Sequence, residues 1–242
     1  MGCVVWRDVF DRVEVVRYVG YDAARGRALD RELDRVGLQG FAQNRWVVRS
    51  PFTARLAQSG VRPARGMGAF SELVSGLYAA VRTSCELGAR RLLVLEDDSR
   101  FVDDMSLLDR AFACIPDDFS VLRLSWMVPT WDARSRSVVS AACGSGAWTR
   151  MERDIVKDTG AVAFSRDGME HFRREVEESL APGGSLGYCD SFRYYDAAGG
   201  HMYIATPLLV IQQEYPEKMC RKRNYLAHYS PFVASCGYGG EP

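Results

Sequence analysis

Lysine is nearly absent from this chain. Of its 31 basic residues only Lys157, Lys218 and Lys222 are lysines, and there are only three histidines. The 31 acidic residues cancel the basic ones to a net charge of +0 at pH 7. There is therefore no general field to draw in nucleic acid or an anionic membrane. The skew toward arginine reads as a compositional bias rather than a demand for bidentate contacts. No run approaches the roughly 20 apolar residues of a membrane span. The seven cysteines are scattered and odd in number, with no CxxC pair, which argues against a zinc site and against a disulfide framework. A reducing, cytoplasmic compartment is the expectation. The charges at Arg7, Asp8, Asp11 and Arg12 do not suit a signal peptide. P-loop, HExxH and GxSxG motifs are missing, and there is neither an internal repeat nor a low-complexity tract.

What is present is an ordinary globular composition: 242 residues, 47% hydrophobic and 26% charged, enough for one substantial core. A β-branched and aromatic run predicts a strand over Val13 to Tyr21. The segment after it places Leu29, Leu33, Val36 and Leu38 at helical spacing, closed by Gly37 and Gly40. A second strand is expected over Arg45 to Phe52, a loop over Val61 to Gly68, and a helix from Phe70 to Gly88 with Leu73, Leu77, Ala80, Val81 and Cys85 on one face. An aliphatic strand follows in "RRLLVLEDDSRF", then a helix in "MSLLDRAFACI" and a strand over Phe119 to Trp126. Met127 to Met151 reads as a long loop or irregular hairpin of the kind that lines an active site. A buried strand over Gly160 to Ser165, a helix in "RDGMEHFRREVEESL" and an extended segment from Met202 to Gln213, broken by Pro207, complete the pattern. Alternating strands and amphipathic helices predict an α/β fold, a mostly parallel sheet with helices on both faces.

The chemistry gathers at Glu96, Asp97 and Asp98, where the aliphatic strand stops against three carboxylates. Ligands of open α/β sheets bind beyond the carboxyl ends of the strands. Adjacent carboxylates keep their charge cheaply only if water or a cation compensates it, and Mg²⁺ and Mn²⁺ prefer such oxygens together with substrate phosphates. The tripeptide alone reads equally as a solvated turn, or as a helix cap by Asp98 or Ser99.

The surroundings carry a resemblance. "LVSGLYAAVRTSCELGARRLLVLEDDSRF" resembles the helix and metal-binding strand of nucleotide-sugar glycosyltransferases of the GT-A fold, most closely glycosyltransferase family 25, the lipooligosaccharide and collagen galactosyltransferase type. "FDRVEVVRYVGYDAARGRALDRELDRVGL", "IPDDFSVLRLSW", "TGAVAFSRDGMEHF" and "YCDSFRYYDAAGGHMYIATPLLVIQQ" are similar to further segments of that family in the same order, so that the likeness runs from about Phe10 to Gln213. EDD is its one sharp motif. The chain departs from the family pattern where Ser75 is followed by Gly76 rather than histidine, and where Val19 and Gly20 replace Asn-Leu.

The resemblance implies a single GT-A-like domain over residues 1–242, with 10–126 as the nucleotide-binding half and 127–242 as the acceptor side and C-terminal segment. It implies a metal-dependent, inverting transfer of a sugar from a nucleoside-diphosphate sugar to a hydroxyl of a glycan or glycoconjugate. Asp98 is then the first metal ligand, with Glu96 beside it. Glu96 or Asp97 would bond the ribose or the acceptor. If the strand continues that far, alternation points Glu96 and Asp98 one way and Asp97 the other. His228 is preferred over His201 as a late metal ligand, either being open to a purely structural role, while His171 reads as a solvated surface residue. Asp190 in "YCDSF" is the candidate base or, equally, a helix cap. Val19, Gly20 and Tyr21 would line the base pocket. Arg25 and Arg27 would reach the phosphates or face solvent, and the basic cluster Cys220 to Tyr225 would close over the diphosphate or form a solvated face. Nucleotidyl transfer, which also uses carboxylates and a divalent metal, and a catalytically idle carbohydrate-binding or scaffold domain are the competing functions.

Overall fold

The computed structural model describes residues 6–18, 23–47, 62–63, 68–126, 147–151, 159–182, 185–186, 194–195, 200–206 and 208–212. A short helix, α1 (Trp6–Val9), leads into β1 (Arg12–Tyr18), α2 (Ala23–Arg35) and β2 (Gln43–Val47). After the two-residue β3 (Arg62–Pro63) come α3 (Gly68–Glu86), β4 (Arg91–Glu96), β5 (Ser99–Phe101), α4 (Met105–Ala113) and β6 (Phe119–Arg123). The remaining elements are β7 (Trp148–Met151), β8 (Ala161–Ser165), α5 (Arg166–Leu180), β9 (Ser185–Leu186), β10 (His201–Ala205) and β11 (Val210–Gln212).

Seven strands form one sheet in the order β2-β1-β4-β8-β6-β10-β7. β2, β1 and β4 are mutually parallel, β8 opposes both β4 and β6, β10 runs with β6, and β7 lies antiparallel on the outer edge. Five of the seven strands thus share one direction, the mostly parallel α/β sheet expected of the sequence. Successive residues of β1 show that helices cover both faces. Val16 lies against Gly76 of α3, whereas Arg17 bonds Asp30 of α2, and neighbouring strand residues point to opposite faces. The central strands are accordingly apolar throughout, with Leu92, Leu93, Val94 and Leu95 of β4 wholly buried, as a strand covered on both sides must be.

Two glycines are needed where they stand. Gly88 takes φ 74 and ends α3, with its N–H donating to Cys85 O and that of Ala89 to Ser84 O. This left-handed closure aims the chain into β4. A Cβ on Gly76 would sit 2.6 Å from Val16 Cγ1 and 3.1 Å from Val47 Cγ2, so α3 packs too close to the sheet for the histidine of the family pattern. α5 begins on Ser165, whose hydroxyl accepts from Gly168 N, and docks Phe172 edge-on against Phe164 of β8 with ring centroids 5.4 Å apart.

The helices and central strands lie where the periodicity places them, and the departures are local. β1 is described only to Tyr18, and β2 begins two residues before the predicted Arg45. α1 and β5 are unpredicted, being too short for a periodic signal. Trp148–Met151 closes the predicted loop as an edge strand. Arg62–Pro63, expected as loop, bridges to Ser185–Leu186. The extended segment over Met202 to Gln213 divides on either side of Pro207 between two sheets, β10 joining β6 and β11 joining β5. Among the described residues no helix is long and apolar enough to cross a membrane.

Candidate active site

The order of the sheet locates the crevice. From β1 the chain passes through α2 to β2 on one side, whereas from β4 it goes on to strands on the other side. The carboxyl ends of β1 and β4 therefore flank the point where the connections diverge, which in open α/β sheets is where ligands bind. Tyr18 ends β1 there, α2 begins there, and β4 delivers Glu96, Asp97 and Asp98 to the same place, with Val16 in register with Glu96.

All three carboxylates are buried, with relative exposures of 7%, 4% and 5%. β4 ends at Glu96, so the alternation that would pair Glu96 with Asp98 does not reach them. Asp97 and Asp98 lie in the turn before β5 and act together on Arg25 of α2. Arg25 Nη2 donates to Asp97 Oδ1 and stands 2.9 Å from Asp98 Oδ2. Tyr18 N–H reaches the other Asp97 oxygen at 3.3 Å. Glu96 turns toward β8. Its Oε1 accepts the Thr159 hydroxyl at 2.6 Å, and its own N–H donates to Gly160 O. Ser99 Oγ also donates to Gly160 O, tying both ends of the turn to one backbone carbonyl.

Burial alone would lower the Arg25 pKa. The charges of Asp98 and Asp97, the hydrogen bond to Asp97 and the charge of Glu96 outweigh it, and the guanidinium is held above its ordinary value. Of the two roles open to Arg25 in the sequence, the solvent-facing one is excluded, because the residue is 5% exposed. Arg27 is exposed. It lies two residues further along α2, about 200° around the helix from Arg25.

A divalent cation is the group these residues suggest, and its fit depends on their donor chemistry. Carboxylate oxygens of Asp97 and Asp98 converge on the single atom Arg25 Nη2. A hard cation takes such donors, commonly one or two carboxylates completed by substrate phosphate. They fit in that limited sense. Among the described residues no three donor side chains converge on an ion, so Asp97 and Asp98 can supply only part of a coordination shell. Asp190, His228, Val19, Gly20, Tyr21 and the cluster from Cys220 to Tyr225 lie outside the described residues.

The other two histidines lie elsewhere. His201 opens β10 beside the start of β6, at the amino edge of the sheet, opposite the carboxyl edge that holds Asp98. His171, expected on a solvated surface, is buried in α5 with Nδ1 3.1 Å from Arg174 Nη2. It belongs to the inward face that also carries Phe172 and Val176.

Sequence reasoning missed Thr159 and the contacts that mount α2. Glu32 Oε1 accepts Phe101 N–H at 2.6 Å, and Arg35 donates to Phe101 O at 3.0 Å and to Glu32. Residues 25, 32 and 35 share one helix face, seven and three residues apart, so α2 grips the turn and the strand after it at three points. The spacing was visible in the sequence, but its target was not, because β5 is too short to announce itself.

No family model matches the chain, and no curated relative matches it. Solved structures do. A mannosyltransferase from Pyrobaculum calidifontis in complex with GDP-Man and Mn²⁺ is 15% identical, covering 95% of this chain and 65% of its own, with a TM-score of 0.47. A mannose-1-phosphate geranyltransferase from Thermus thermophilus is 14% identical over 96% of this chain and 80% of its own, with a TM-score of 0.43. An inositol-1-phosphate CTP transferase from T. maritima is 12% identical over 92% and 96%, with a TM-score of 0.40. At these values the likenesses carry no functional argument.

Proposed function

We propose that the chain is a glycosyltransferase that moves a sugar from a nucleoside-diphosphate sugar to a hydroxyl of a glycan or glycoconjugate, with inversion, using Mn²⁺ or Mg²⁺. The observation that carries this reading is the buried cluster of Glu96, Asp97, Asp98 and Arg25 at the diverging strands β1 and β4. The similarity of the EDD segment and its neighbours to glycosyltransferase family 25 supports it.

Departure of a nucleoside diphosphate builds negative charge at the oxygen that leaves, and preorganised charge at that place is the largest help an enzyme can give. A divalent cation bound by Asp98 and Asp97 would supply part of that charge. Arg25 stands where it can bond the diphosphate with two parallel N–H groups. The first turn of α2 carries no acidic residue, and the positive end of the helix dipole favours an anion at the same place. Glu96, fixed by Thr159, takes a ribose or acceptor hydroxyl. Asp190 accepts the acceptor's proton as it attacks, His228 adds a late ligand, and Val19, Gly20 and Tyr21 surround the base.

A thermal-shift titration with a panel of nucleoside diphosphates and nucleotide sugars, with and without Mn²⁺, on wild type and Asp98→Ala tests this reading. One member of the panel should stabilise the wild type only with Mn²⁺, by about 2.7 kcal/mol at a hundred times its Kd, and should leave Asp98→Ala unmoved. Folded wild type that responds to no member, with or without Mn²⁺, would overturn it.

A further inference from the structure

We propose that Arg25 is a resident counter-ion, and that its exchange from Asp97 and Asp98 onto the donor's diphosphate couples nucleotide binding to cation binding. The diphosphate partner rests on the glycosyltransferase reading above. The counter-ion role rests only on the geometry of the cluster.

One nitrogen, Nη2, lies between Asp97 Oδ1 and Asp98 Oδ2, the position a small cation would take to share both oxygens. The arginine and aspartate side chains are only 6% to 7% exposed. Arg25 must therefore release the carboxylates when a cation takes them. Released alone, it becomes a buried charge without compensation, which is strongly unfavourable. A cation that arrives with a diphosphate removes this obstacle, because the guanidinium exchanges the two carboxylates for the oxyanions of the diphosphate. The same diphosphate supplies the oxygens that two aspartates cannot.

The helix is built to stay still during the exchange. Asp30 of α2 is bonded by Arg17 of β1, Glu32 accepts Phe101 N–H, and Arg35 donates to Phe101 O. The backbone of α2 is thus fixed at its middle and far end, and only the Arg25 side chain has to turn. Coupling of this kind is reciprocal: the nucleotide tightens cation binding by the same factor by which the cation tightens nucleotide binding.

Mn²⁺ binding followed by electron paramagnetic resonance, alone and with GDP or UDP, on wild type, Arg25→Gln and Arg25→Lys tests the proposal, with circular dichroism to show that each is folded. Wild type should bind Mn²⁺ alone weakly and bind it about tenfold or more tighter with the diphosphate that fits. Arg25→Gln should bind Mn²⁺ alone about tenfold tighter than wild type and lose most of the coupling. Arg25→Lys keeps a charge but carries it on a compact, more strongly hydrated ammonium, and should fall between them. If Arg25→Gln does not fold, Arg25→Lys decides. A folded Arg25 variant that binds Mn²⁺ alone no tighter than wild type overturns the counter-ion role, even where nucleotide binding stands. Tighter Mn²⁺ in the variants, beside a wild type whose Mn²⁺ binding no nucleoside diphosphate strengthens, keeps the counter-ion and removes the glycosyltransferase reading.

Discussion

Both edges of the sheet set acidic side chains against basic ones, and the two arrangements have little else in common. At the carboxyl edge the Arg25, Asp97 and Asp98 side chains are only 6% to 7% exposed, and the ion pairs between them are 2.9 Å or shorter. At the amino edge Asp118 accepts the Tyr203 hydroxyl at 2.8 Å and faces His201 Nε2 at 3.6 Å, with the His201 and Asp118 side chains 31% and 54% exposed. Residue type is therefore a poor guide to importance. What separates the edges is water. Buried charges hold one another in place because nothing else compensates them, while exposed ones are already satisfied by solvent and contribute little.

That contrast can be broken most directly at Arg25. Arg25→Ala strands two buried carboxylates and should cost about 3 to 5 kcal/mol in urea unfolding. A cost no greater than that of Asp118→Asn would erase the distinction. Thr159→Val keeps the shape but removes the hydroxyl that Glu96 accepts. A loss of about 1.5 to 3 kcal/mol is expected, and most of it should disappear in a Glu96→Gln background, where no charge is left short of a donor. A double-mutant cycle measures this.

At the amino edge the effects should be small. Asp118→Asn is expected to change stability by less than about 1 kcal/mol. Burial first, and then the Asp118 bond and charge, raise the Tyr203 pKa. The same substitution should therefore bring the phenol part of the way back to its ordinary value, read as an ultraviolet difference titration against Tyr203→Phe. The smallest effect is expected at Asp11, whose carboxylate accepts Arg90 N–H at 2.7 Å and Arg91 N–H at 2.8 Å. Burial raises its pKa, but those bonds and the Arg90 charge outweigh it and the net shift is downward. A depressed carboxylate stabilises fully above its unfolded value of about 4 and loses that contribution as pH falls. Asp11→Asn should lower the thermal midpoint slightly near pH 7, where that contribution is fully present, and flatten its fall below about pH 4.

The legible parts of the molecule are those whose signal is local. β4 could be read from its unbroken aliphatic run, α3 from its apolar stripe and Gly88, and α5 from its spacing. The EDD turn stood out because three adjacent carboxylates keep their charge cheaply only where water or a cation compensates it. Illegible were the parts defined by a partner distant in sequence. His171 lies in a charged stretch and was expected in solvent, yet the turn of α5 puts it on the side of Phe172. Arg25 was indistinguishable from Arg27, two residues away in the same charged helix, until β4 was placed beside β1.

The sequence by itself determined the alternation of strands and helices, hence the class of sheet, and it marked Glu96, Asp97 and Asp98 as the place where charge is concentrated. Both follow from patterns a few residues long, because side-chain period and burial are linked within each element. Only the tertiary structure decided how the charges are shared. Asp97 and Asp98 went to Arg25 and Glu96 to Thr159, because β4 stops at Glu96 and the turn beyond it is shaped by α2 on one side and β8 on the other. Those neighbours lie about 60 to 70 residues away along the chain, and strand order, which brings them together, is not written in any local pattern.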